Sequence, residues 1–196
     1  LIKGGICVYQ NKKYTIIICC YGIFVDSCNY RTEVEMTGYW LYLDAVADYV
    51  YSMFAKRAID MVIICGGKTN SRVHTAESES VLCALIERVN SKGEVSMPAD
   101  MFCCETTSKT TPQNIWSGVG LAITHSRSPN IVICCDQVHR YPVSMIARKI
   151  CSQLDAHLCD IQSFERFDVH PHSTNWFQFV RGLRYQMFPW TIMREI

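Results

Sequence analysis

Two kinds of apolar spacing alternate along the chain. Tyr14 to Cys20, Met61 to Cys65, Met101 to Cys104 and Ile131 to Cys135 are continuous apolar runs, each closed by cysteine. Between them, apolar residues recur at helical spacing: Leu43, Val46, Ala47, Val50 and Phe54; Val81, Leu82, Leu85, Ile86 and Val89; Ile115, Val119, Ala122 and Ile123; Val143, Ile146, Ala147, Ile150 and Leu154. The first kind is the pattern of a buried strand, the second that of one helix face. His157 to Gln162 adds a short fifth strand. The aromatic region Phe164 to Trp190 predicts a last helix over 175–186. Strands without polar alternation belong to a parallel sheet covered on both faces. Their alternation with helices predicts an α/β fold: a doubly wound, mostly parallel sheet of about five strands with helices on both faces. At 196 residues the chain is expected to form one domain.

In such a fold the turns after the strands gather at one edge and build the ligand crevice. Four of these turns are polar here. Tyr21-Gly22 leads towards Asp26. Gly66-Gly67-Lys68-Thr69-Asn70 leads into His74-Thr75-Ala76-Glu77-Ser78-Glu79. Glu105 to Asn114 packs one carboxylate, five hydroxyls, an ammonium and two amides into ten residues. The fourth turn is Asp136-Gln137-Val138-His139-Arg140-Tyr141.

Each turn offers a candidate and a plainer alternative. Gly66-Gly67 allows close backbone approach to a ligand, or serves only the turn. It is neither a G-x-G-x-x-G fingerprint nor a Walker A loop. Thr111 is the expected N-cap and Pro112 the first helical residue. The amides there, with the hydroxyls of Ser108, Thr110 and Thr111, would favour an anion or polar ligand. Glu77 and Glu79 either reach a ligand or favour the helix dipole. His139, three residues after Asp136, is the acid/base candidate. Lys68 and Arg140 could hold a phosphate or carboxylate, or be solvated. Cys135 is a conceivable nucleophile beside Asp136 and His139. No G-x-S-x-G and no H-E-x-x-H occurs. His170-Pro171-His172 lacks an evident third ligand, so no metal is predicted.

Charge narrows the partners. With 19 basic and 18 acidic residues, no basic face for nucleic acid is expected. No run approaches the ~20 apolar residues of a membrane span. Twelve cysteines are many, and they include the adjacent pairs Cys19-Cys20, Cys103-Cys104 and Cys134-Cys135. Neighbours on a strand point to opposite faces, so such a pair is poorly placed to bridge with itself. Buried, reduced thiols in a cytoplasmic protein are the expectation, with a metal or redox role as the alternative.

The turns together resemble the SanA/ElyC/YdcF-like family over about Tyr14 to Ile150. The family's strand-Gly-Gly and Glu-opened helix correspond to Cys65-Gly66-Gly67-Lys68 and Thr75-Ala76-Glu77-Ser78-Glu79. Its Glu and Ser-x-Asn-Thr-x-Glu-Asn correspond to Glu105 and Ser108 to Asn114; Ser108, Thr111 and Asn114 match, Thr110 replaces Asn and Gln113 replaces Glu. Its Thr-Ser-x-x-His-x-x-Arg corresponds to Cys135 to Pro142, with His139 kept and Pro142 in place of arginine. The resemblance implies a Rossmann-like fold and, through one member, similarity to S-adenosylmethionine-binding proteins. It implies no settled activity; an enzyme acting on or with an adenosyl ligand such as S-adenosylmethionine is the first expectation. Gly66, Gly67, Lys68, Glu77, Glu105, Ser108, Thr111, Asn114, Arg140, Tyr21 and Gly22 are then the binding residues, and His139 and Asp136 the catalytic ones. A phosphorylated or nucleotide-linked substrate and a non-catalytic binding role are the alternatives. The aromatic tail (Trp176, Phe177, Phe179, Trp190) is expected either to pack in the core or to support self-association.

Overall fold

The computed structural model describes residues 12–20, 33–68, 74–125, 130–165 and 175–196, with backbone alone at 33–38 and 175. Five strands form one sheet: β1 (Tyr14–Cys19), β2 (Ile59–Cys65), β3 (Phe102–Glu105), β4 (Asn130–Asp136) and β5 (His157–Phe164). Among the described residues, six α-helices accompany them: α1 (Glu33–Ala55), α2 (Glu77–Ser91), α3 (Thr111–His125), α4 (Arg140–Gln153), α5 (Asn175–Met187) and α6 (Trp190–Glu195). All neighbouring strands pair in parallel, in the order β3-β2-β1-β4-β5. This is the predicted α/β, Rossmann-like architecture.

Successive residues of β1 explain why the sheet is wound on both sides. Ile16 and Ile18 face a core built with Tyr42, Leu43, Val46 and Val50 of α1 and Val81, Leu85 and Val89 of α2. Ile17 and Cys19 face a second core built with Ile115 and Val119 of α3 and Val143, Ile146 and Ile150 of α4. Pleating sends alternate side chains to opposite faces, so a strand buried on both must be apolar throughout. The second core also takes Tyr185 and Ile192 from the C-terminal helices. Gly118 lets α3 come close to the sheet. A Cβ there would lie 2.8 Å from both Cys65 Sγ and Ile17 Cγ2.

Helix ends set the strand starts. Beyond α1, Arg57 adopts φ 55°; its N–H bonds Phe54 O at 2.7 Å, and that of Ala58 bonds Met53 O at 2.9 Å. Beyond α4, Asp155 adopts φ 52° and Ala156 N–H bonds Cys151 O at 2.8 Å. These left-handed caps reverse the chain within a few residues and feed β2 and β5. Among the described residues, no helix is long and apolar enough to cross a membrane.

Candidate functional site

Strand order places the site. The chain runs outward from β1 to β2 and β3, then returns through α3 to β4 on the other side of β1. The reversal leaves a crevice between the carboxyl ends of β1 and β4, the ligand position in open α/β sheets. A small, mainly apolar recess lies there, with a cavity volume of about 10 Å³. Cys20 from the β1 end, Tyr42 from α1, Val81 from α2 and Asp136 from the β4 end contribute to its lining.

Asp136 and His139 form a fixed pair at this edge. Asp136 is the last residue of β4, and the turn after it brings His139 back over the carboxylate. Asp136 Oδ2 lies 2.7 Å from His139 Nδ1, and Oδ1 accepts the His139 backbone N–H at 2.9 Å. Both residues are buried. A carboxylate at Nδ1 keeps a proton on that nitrogen, so the basic lone pair of a neutral ring lies on Nε2. His139 also accepts the first bond of α4, from Val143 N–H at 3.0 Å. The pair is therefore tied to two elements.

The turns after β2 and β3 are engaged mainly with each other. Glu105 Oε1 accepts the backbone N–H of Thr107 at 2.7 Å and of Ser108 at 3.0 Å, and the Thr107 hydroxyl at 2.5 Å. The Ser108 hydroxyl donates to Ser117 Oγ at 3.3 Å. Gly66 N–H bonds Glu105 O at 3.0 Å and Gly67 N–H bonds Ser108 O at 2.7 Å. A Cβ on Gly67 would meet Ser108 O at 2.6 Å, and one on Gly66 would meet Cys20 Cβ at 2.7 Å. The close approach that requires this glycine pair is thus to protein. In return, Gly66 O and Gly67 O accept the N–H groups of Ser78 and Glu77 at the start of α2, at 3.0 and 3.2 Å.

The helix starts differ from expectation by one residue. Thr110, not Thr111, caps α3: its Oγ1 accepts Gln113 N–H at 3.3 Å, and Gln113 Oε1 accepts Lys109 N–H at 2.8 Å. Thr111 and Pro112 are then the first and second helical residues. Capping takes up hydroxyl and amide groups that would otherwise attract an anion. Glu79 likewise accepts Ala76 N–H at 2.8 Å, the local role that competed with ligand contact. Glu77 is buried at the same edge.

Among the described residues, Tyr42 Oη, Ser78 Oγ and Asn114 Oδ1 are buried without a nitrogen or oxygen partner, and Ser78 lies against the Cys104 thiol. The three atoms come from α1, α2 and α3. Ser78 sits against Gly66 at the β2 end. Asn114 lies one helical turn nearer the edge than Gly118, which touches β1 and β2. Tyr42 opens on the recess, and burial followed by the nearby Asp136 charge pushes its hydroxyl well above the usual range.

Several buried thiols are held protonated. Burial first, and Glu77 second, raise Cys20. Burial likewise raises Cys65, Cys134 and Cys135. Cys135 is fully buried beneath Asp136 and is thereby unsuited to be a nucleophile. Lys68 and Arg140 are exposed. Tyr21, Gly22, Asp26, Thr69, Asn70, His170 and His172 lie outside the described residues. Among the described residues, no three His, Cys, Asp or Glu side chains are grouped to hold a metal ion.

Two contributors escaped the sequence pattern although a signal existed. Tyr39 and Tyr42 extend the stripe of Leu43, Val46 and Val50 backwards at helical spacing. Thr110-x-x-Gln113 has the spacing of a capping box. No family model matches the chain, and neither does any curated protein or solved structure.

Proposed function

We propose that this chain binds an adenosyl-type ligand, S-adenosylmethionine foremost, at the β1–β4 crevice and acts with it as a transferase or lyase. The observation that carries the reading is the Asp136–His139 pair held at the β4 end, with Tyr42 Oη, buried and without a hydrogen-bond partner among the described residues, in the recess that Asp136 also lines. Buried polar atoms are generally paired, so an unpaired hydroxyl beside this pair favours a polar guest. Charge supports a cationic, hydroxyl-rich partner. Glu77, Glu105 and Asp136 are buried there, whereas the candidate cations Lys68 and Arg140 are exposed. Glu105 is occupied by its own turn, and Asp136 is engaged with His139. The same balance argues against the phosphorylated-substrate alternative.

When bound, S-adenosylmethionine supplies an electrophilic carbon on a sulfonium. His139 would take the proton from an acceptor group at Nε2, with Asp136 stabilising the imidazolium that results. The resemblance to the SanA/ElyC/YdcF-like family belongs to this reading. Calorimetric titration with S-adenosylmethionine tests it: a dissociation constant below about 1 mM is expected. His139→Ala should retain binding and lose turnover. Absence of both heat and thermal shift at millimolar ligand would overturn the reading. Binding without turnover in any substrate screen, unchanged in His139→Ala, would favour a binding protein.

A further inference from the structure

α5 has two faces. One packs on α4 and the core: Gln178, Gly182 and Tyr185 are buried, and the Tyr141 ring lies where a Cβ of Gly182 would stand. The opposite side carries Trp176, Val180, Leu183 and Met187, spaced four, three and four residues apart. That is the spacing of a helix–helix seam. Trp176, Phe179 and Met187 are about half exposed or more, Trp176 at 73%. The aromatic part is already ordered: Trp176 stacks on Phe179 with centroids 6.0 Å apart, and Phe179 on Tyr141 at 5.7 Å.

We propose that this face of α5 is the interface of a twofold dimer, packed against α5 of a second copy. Area is the first argument. With ~150–250 Å² for a large side chain, Trp176, Phe177, Phe179, Val180 and Met187 leave roughly 500 Å² of exposed apolar surface. Phe188 and Trp190, 43% and 54% exposed, bring the apolar surface to roughly 700 Å². A lone protein's largest patch is ~300–600 Å², and a stable interface needs ~800 Å² per partner. The seam positions Trp176, Val180, Leu183 and Met187 carry no charge, while Arg181 and Arg184 are drawn towards Glu195 of their own chain, at 3.7 and 3.8 Å. Two copies of this uncharged seam meet without like-charge repulsion, and rigid stacked aromatics lose little freedom on docking.

Light scattering and sedimentation equilibrium of the full chain test this. Twice the 22.5 kDa chain mass is expected at micromolar concentration. Trp176→Glu/Val180→Glu, changed only at exposed positions, should be monomeric with an unaltered circular dichroism spectrum, its dimer affinity reduced at least 100-fold. Val95→Glu, at an exposed apolar position elsewhere, should stay dimeric. A monomeric wild type at 100 µM, or a dimer that survives the double substitution, overturns the proposal. So does wild type that is monomeric in buffer but co-sediments with anionic phospholipid vesicles.

Discussion

Tyr42 divides its side chain between two environments. Its ring packs edge-on to Phe164, with centroids 6.2 Å apart, inside the α1–α2 core. Its hydroxyl, near Asp136 at the recess, has no hydrogen-bond partner among the described residues. An unmade hydrogen bond at a buried group costs about 1–3 kcal/mol, so the hydroxyl weakens the ligand-free fold. Tyr42→Phe should therefore leave stability unchanged or raise it by about 1 kcal/mol in urea denaturation. Under the adenosyl reading, the same change should weaken S-adenosylmethionine binding roughly tenfold, since one hydrogen bond is worth about 1–1.5 kcal/mol. Loss of more than 1 kcal/mol of stability with binding intact would instead identify a structural water as the partner. Residues such as Tyr42 were hard to read from sequence because their place in a helical stripe says core and nothing more. Asp136 and His139 were readable because a strand end followed by a three-residue return leaves few geometries. What no sequence pattern revealed is that Glu105 serves its own turn and that Gly67 lies against backbone.

At the scale of elements, the strands were legible because burial on both faces forces continuous apolar runs. Their ends shifted by up to two residues, as β2 begins at Ile59 rather than Met61. α1 begins at Glu33, ten residues before the first apolar position singled out in the sequence. α6 and the short 3-10 turn Ala99–Met101 escaped notice, being too short to show a period. The left-handed caps were also invisible, since Arg57 and Asp155 occupy positions usually given to glycine. That choice carries a cost. A non-glycine residue in this conformation is strained by about 1–2 kcal/mol, partly offset by the entropy that glycine would lose on folding. Arg57→Gly should raise stability by about 0.5–1 kcal/mol, read as a shift in the urea midpoint at constant slope. No gain would mean that the Arg57 side chain contributes a compensating contact.

For the whole molecule, the thiols make stability depend on alkaline pH. Cys65, Cys134 and Cys135 are buried and raised above their ordinary value of 9.0, and Cys104 and Cys151 are pushed up to about 11. In the unfolded chain these groups ionise near the ordinary value, whereas the folded chain keeps them protonated. The unfolded state then binds fewer protons, so stability is fully present below pH 9 and falls above it. Each fully buried thiol contributes a slope of about 1.4 kcal/mol per pH unit. Melting temperatures should be level from pH 7 to 8.5 and drop steeply by pH 10.5. A flat profile across that window would show that the thiols are not buried as described.

The bonds that clasp Gly66 and Gly67 make mechanical neighbours of segments far apart in sequence. The turn after β3, the glycine pair and the first residues of α2 are joined through four backbone hydrogen bonds, so none can shift alone. A force applied at Ser108 reaches Ser78 through one peptide unit, that between Gly66 and Gly67, rather than through a loop. The carboxyl ends of β2 and β3 and the start of α2 therefore move as one body, separate from the turn by which β4 delivers Asp136 and His139.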